Sequence, residues 1–223
     1  MKLENIQLQP LEPDRFVWRW SANGQYSVSS AYKAYFIGWT NMAGARELWR
    51  AAVPPKVKFF FWLALHGRLW TAERRKRHGL QLQAACALCD QHDETTDHLL
   101  CLCVYAREVW FRLLQPIGFH GAAPQQTSTL LDWWQLGRTS LPQALRRSFD
   151  SMVLLATWCL WKERNRRTFD RKSRTPSELL SIIMEEADAW IGAGLAAWRC
   201  SPLRPPDQRG EPFPSTSRNW FFN

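Results

Sequence analysis

The sequence predicts a mainly α fold with one small N-terminal β-hairpin, and three observations carry that prediction. Apolar residues recur at three- and four-residue spacing over most of the chain, behind Ser, Thr or Pro at helix starts. Period-two alternation is confined to the stretch around Asn23-Gly24. Cys86, Cys89, His98 and Cys103 form the pattern C-x2-C-x8-H-x4-C within CALCDQHDETTDHLLCLC, a segment with few core residues of its own.

The elements follow in order. Residues 1–14 are polar, contain Pro10 and Pro13, and read as a linker. Phe16–Trp20 and Gln25–Val28 flank a turn holding Asn23-Gly24, the signature of a hairpin. Ser27 or Ser29 caps a helix through Ala31, Tyr32, Tyr35 and Phe36. Pro54-Pro55 ends the Glu47–Arg50 segment and starts a helix over Lys56–Leu65. Phe59-Phe60-Phe61-Trp62 makes that helix apolar nearly all round, so it is expected at the centre. A platform for stacking bases is the sharper reading, but four consecutive aromatics on a helix cannot all face one ligand.

Thr71 caps Ala72–His78, and Gly79 closes it. Thr95 or Thr96 caps a short helix carrying His98, with Glu94 as a carboxylate favouring its start. Tyr105–Leu114 buries Val109, Trp110 and Leu113 at helical spacing. Residues 115–129, rich in Pro, Gly, Ala and Gln, read as a loop and a boundary. Leu130–Leu136 is helical, a long helix runs from about Pro142 to Phe169, and another starts at Pro176 within the capping box Thr175-Pro176-Ser177-Glu178. The last two form an antiparallel helical hairpin within the helical region 130–200. Residues 201–223 hold five prolines and read as a disordered tail.

The four-residue cluster is a full ligand set for one tetrahedral zinc ion. Three thiolates and an imidazole fill every position, so none stays open for water or substrate, and the metal builds structure. The fold is therefore a zinc-clipped helical module followed by the helical hairpin. Without metal the segment from Ala84 to Cys103 is expected to lose its structure. Cys101 and His92 are rival ligands by position; Cys159 reads as a core residue and Cys200 as a spare thiol. A hydrolytic zinc with Glu94 as base needs an open position that this ligand set does not leave.

The segment resembles the zinc-binding domain found downstream of the reverse transcriptase in plant LINE-type (non-LTR) retroelements. The residues that carry the resemblance are Phe16-Val17-Trp18-Arg19-Trp20-Ser21, Gly24–Val28, Ser30-Ala31-Tyr32 and Leu48-Trp49. Val53–Phe59, Trp62, Gly67-Arg68-Leu69 and Thr71 continue it. Cys86-Ala87-Leu88-Cys89, Glu94-Thr95, Asp97–Leu100, Cys103 and Val109-Trp110 complete it. Residues 15–114 are accordingly read as that domain. In the family pattern the last Cys follows the His by five positions, which the resemblance assigns to Cys103. Trp158–Phe169 also resembles the helical C-terminal part of such polyproteins. The family's polymerase does not carry over, because no Tyr-x-Asp-Asp core is present. The resemblance implies an intracellular, non-enzymatic C-terminal portion of a retroelement polyprotein, nuclear or cytoplasmic and not secreted. No apolar leader is visible in residues 1–16, so the thiols are expected to be reduced.

Charge points to a partner. The chain carries 29 Lys and Arg against 20 Asp and Glu, a formal net charge of +9, which favours nucleic acid before an anionic membrane. No apolar run reaches the roughly 18 residues that span a bilayer. One basic cluster, Arg68, Arg74, Arg75, Lys76 and Arg77, adjoins the zinc segment. A second, which includes Arg164, Arg166 and Arg167, sits at the tip of the helical hairpin. Both are candidates for contact with RNA or DNA phosphates. Solvated helix ends are the plain alternative for each. At the level of the whole chain, the alternatives are a structural or protein-interaction module that docks a polymerase, and an inactive retroelement relic.

Overall fold

The computed structural model of the chain describes residues 17–35, 42–124 and 129–195. The expected linker and the expected C-terminal tail lie outside them. The backbone falls into two units, Met1–Met42 and Ala43–Asn223. The division thus comes at residues 42 and 43, and the 115–129 segment lies inside the second unit.

In the first unit the expected β-hairpin does not form. Residues 18–24 make a looped turn, closed by Trp18 N–H to Gly24 O at 2.7 Å, and no strand is present among the described residues. Gly24 takes the left-handed conformation (φ 68°) that an Asn-Gly turn calls for. The Ser21 hydroxyl, however, binds the Trp18 and Gln25 carbonyls, and the Asn23 side chain accepts the Gln25 N–H. These local side-chain bonds compete with a cross-strand ladder. Trp18 packs edge-on to Tyr26 at 5.1 Å instead. Ser27 then caps α1 (Val28–Tyr35) by accepting the Ser30 N–H.

The second unit is helical. It contains α2 (Ala45–Arg50), α3 (Pro55–Leu65), α4 (Ala72–Arg77), a π turn (His98–Leu102), α5 (Val104–Leu114), α6 (Leu130–Thr139), α7 (Gln143–Asn165) with a π turn at Arg166–Asp170, and α8 (Pro176–Gly192). Two short 3-10 turns, Gln115–Ile117 and His120–Ala122, occupy part of the expected loop. Thr71, Thr129 and Thr175 cap α4, α6 and α8 with their side chains, and Thr175-Glu178 forms the full capping box.

α7 is the axle of this unit: α2, α3, α6, α8 and the first π turn all pack on it. Its residues Met152–Thr157 are all buried, as is Leu160. The core is aromatic, as the composition suggests. Phe61 of α3 meets Trp134 of α6 edge-on at 5.2 Å, and Trp110 of α5 lies 4.6 Å from Trp133. Three buried indole N–H groups of this unit find acceptors: Trp110 uses Leu100 O, Trp133 uses Ala122 O, and Trp134 uses the Asp150 carboxylate. Asp150 also accepts from Arg138. Burial nevertheless raises its carboxyl above the ordinary range.

Candidate metal centre

Two local structures bring the four cluster residues together. The first is a knuckle. Cys86 N–H donates to His92 O (2.9 Å), Asp90 N–H donates to Cys86 O (2.8 Å), and Ala85 pairs with Asp93 in a single antiparallel bridge. Asp90 makes the tight turn in the left-handed region (φ 56°), where Asp is among the tolerated residues. The second is the π turn, closed by Cys103 N–H to His98 O at 2.7 Å. Residues five apart overshoot an α-helical turn of 3.6 residues. The wider i→i+5 turn brings His98 and Cys103 back to the same side.

The ligand atoms of Cys86, Cys89, His98 and Cys103 all lie within 4.8 Å of one another. Cys86 Sγ to Cys103 Sγ is 4.0 Å, and Cys89 Sγ to His98 Nε2 is 3.3 Å. A tetrahedral zinc with sulfur at ~2.3 Å and nitrogen at ~2.0 Å has edges of roughly 3.5–3.8 Å, so these two separations are close to its edges, and wider pairs draw in by up to about 1 Å when the ion binds. His98 is 8% exposed, and Cys86 and Cys103 are fully buried. Of the rivals, Cys101 is buried outside this group, and burial followed by the charge of Asp97 raises its thiol well above the ordinary range. His92 stacks on the His98 ring at 5.3 Å rather than joining the ligand set.

The thiols are poised unequally. The hydrogen bond between Cys86 and Cys103 dominates both: it lowers Cys103 and, with burial, pushes Cys86 up to about 12. The Ala106 and Tyr105 backbone N–H groups at the start of α5 further favour the Cys103 thiolate. The donors around Cys103 thus favour its thiolate as a metal ligand.

Glu94, expected as a helix-start carboxylate, has a different place. It is fully buried and accepts four N–H bonds. These come from Ala72 N (2.7 Å) at the start of α4, Ala87 N (3.1 Å) in the knuckle, and Arg164 Nε (2.9 Å) and Nη2 (2.7 Å). Arg164 is 2% exposed, so the expectation that it meets phosphate does not hold. Arg167 donates to Leu88 O (3.0 Å) between the two knuckle cysteines and to Arg174 O (2.8 Å), and its guanidinium covers the Tyr105 ring at 4.5 Å. Arg166 and Arg167 both pair with buried Glu163. Arg164, Arg166 and Arg167 are therefore drawn toward two buried glutamates, whereas Arg171 and Lys172 at the same tip are exposed. Glu94 was not legible as a partner, because Arg164 lies seventy positions from it; Glu163 stands at i,i+3 and i,i+4 spacing from Arg166 and Arg167, a local pattern.

The cluster before the zinc segment is different. Lys76 and Arg77 are exposed and Arg75 is half-buried. Arg77 forms an i,i+4 pair with Glu73. Arg74 donates to Gly67 O at 3.1 Å and lies over the Trp70 ring, and Arg68 lies over Trp62.

Fold and site together define a helical module clipped by a closed Cys3His zinc site. Residues 26–110 match the family described as zinc-binding in reverse transcriptase. The chain is also 34% identical over 105 residues to the “Putative ribonuclease H protein” of Arabidopsis thaliana. That match covers 45% of this chain and 17% of the relative, so the chain spans only a small part of that protein's length. No solved structure matches. Among the described residues, no helix is long and apolar enough to cross a membrane.

Proposed function

We propose that this chain is a non-catalytic, zinc-stabilised module of a retroelement reverse-transcriptase polyprotein, and that it binds RNA or DNA through backbone phosphates. The closed ligand set is the observation that carries the non-catalytic part. Four protein donors within 4.8 Å leave a tetrahedral ion no position for water. Glu94, the carboxylate that the sequence offers as a base, is already engaged by four donors. The basic residues of α4, within the segment that matches zinc-binding in reverse transcriptase, support the nucleic-acid part.

A mobility-shift series over salt concentration tests the reading. Zinc-loaded protein is expected to shift RNA or DNA at low salt and to release it steeply as salt rises. Lys76→Ala is expected to flatten the log-log salt slope by about one unit, whereas Arg164→Met leaves the slope unchanged in whatever protein remains folded. Failure to shift any nucleic acid at low salt sinks the proposal.

A further inference from the structure

α3 sorts its aromatic run by side. Phe60 and Phe61 are 5% and 0% exposed and enter the core. Phe59, Trp62 and His66 fall at i, i+3 and i+7, one stripe of the helix. Phe59 is 55% exposed, and its ring stacks on Trp62 at 5.8 Å with an interplanar angle of 14°. Trp62 in turn lies 4.4 Å from His66. The stripe continues past the helix end, where the Arg68 guanidinium sits 5.7 Å over Trp62. Arg74 bridges from the Gly67 carbonyl to the face of Trp70, 4.9 Å away. Trp70 is 49% exposed, and its other neighbour is the His78 ring at 5.4 Å.

The result is a surface row of aromatic rings interleaved with guanidinium groups. Phe59 and Trp70 are each about half exposed and stand beside cations in one strip, a patch of the kind that marks a binding surface. An apolar protein partner would cover the rings but gain little from the cations set among them. A duplex offers phosphates but hides its base faces. A single strand offers both, flat π faces for the rings and phosphates for the cations.

We infer that the strip from Phe59 to His78 is a stacking platform for single-stranded nucleic acid, with Phe59, backed by Trp62, and Trp70 against bases, and Arg68 and Arg74 beside the backbone. The inference rests on the nucleic-acid reading above and deepens it. Consecutive aromatics on a helix diverge, and the platform uses only one stripe of them, three and four residues apart on successive turns.

The test compares three fluorescent probes by anisotropy on the full zinc-loaded chain: a thymidine 12-mer, an abasic 12-mer of the same backbone charge, and a 12-base-pair duplex. The thymidine strand is expected to bind at least about tenfold more tightly than the abasic strand, since each stacked base contributes about 1–3 kcal/mol. Phe59→Ala and Trp70→Ala are each expected to lose about fivefold or more on the thymidine strand. Neither changes abasic binding or the salt slope, and Trp70→Phe restores most of the loss. Both positions are half-exposed; retained zinc content and far-UV circular dichroism identify the variants to be read, and Phe59→Ser stands in for any that fails. Equal affinity for thymidine and abasic strands overturns the platform while the phosphate reading stands. Binding to none of the three probes overturns both.

Discussion

At the scale of single residues, the knuckle and π turn give each sulfur a distinct role. Cys103 is drawn toward its thiolate by its bond with Cys86 and by the start of α5, while Cys101, two residues before it, is kept protonated by burial. Cys103→Ser is therefore expected to lose stoichiometric zinc, and Cys101→Ser to keep it, by metal analysis after gel filtration. Equal zinc in both variants would show the wrong sulfur had been assigned. The Glu94–Arg164 pair is the other residue-scale commitment. Both side chains are almost wholly out of water, and removal of one partner leaves an uncompensated buried charge. Glu94→Gln and Arg164→Met are each expected to cost about 3–5 kcal/mol in urea unfolding, and the double variant clearly less than their sum. Strict additivity would remove the pair from the account.

At the scale of elements, helix contacts depend on close backbone approach. Gly44 precedes α2 with φ 84°, and a Cβ there would overlap the Gln135 amide and the buried Trp134 ring of α6. Gly44→Ala combines a left-handed backbone penalty of about 1–2 kcal/mol with overpacking of about 1–3 kcal/mol. Thermal unfolding should show a loss of about 2–5 kcal/mol, and an unshifted midpoint would mean α2 and α6 can separate freely.

Much of this level was legible in the sequence. Thr71, Thr175 with Glu178, and Pro54-Pro55 mark helix starts by chemistry that acts within four residues, and α3, α4 and α8 begin there. The ligand spacing was legible for the same reason, since C-x2-C describes a local loop. The N-terminal turn was misread because the Asn-Gly signal is shared by hairpins and isolated turns, and the Ser21 hydroxyl decides between them. The π turns were not legible: an i→i+5 closure has no propensity signature, and here it serves the separation of His98 and Cys103. The reversal of Arg164 and Arg167 toward the core depended on partners far along the chain.

At the scale of the whole molecule, the metal-site part of the second unit and the helices beyond residue 110 share one framework. The family match ends at residue 110, yet the knuckle it contains is held from outside by Arg164 and Arg167. Val57, Phe60 and Phe61 of α3 are buried where α7 packs on that helix, and α5 rests on α8. The Asp97 side chain, one residue before the histidine ligand, accepts the Leu130 N–H at the start of α6 (2.8 Å). A chain ending at residue 124 keeps all four metal ligands but loses every one of these supports. Partners of this kind, behind a ligand shell, typically change metal affinity by about 10–100-fold. The truncated chain should therefore bind zinc at least about tenfold more weakly in competition with a chromogenic chelator. It should also lack the near-ultraviolet tryptophan signal of a fixed core even when zinc is added, since Phe61 and Trp110 lose their neighbours on α6. In the full chain, chelation should conversely raise amide exchange at the C-terminal end of α7, although that helix contributes no ligand. A truncated chain with full-length zinc affinity and a sharp tryptophan signal would mean that the zinc module folds alone and that α7 merely leans on it.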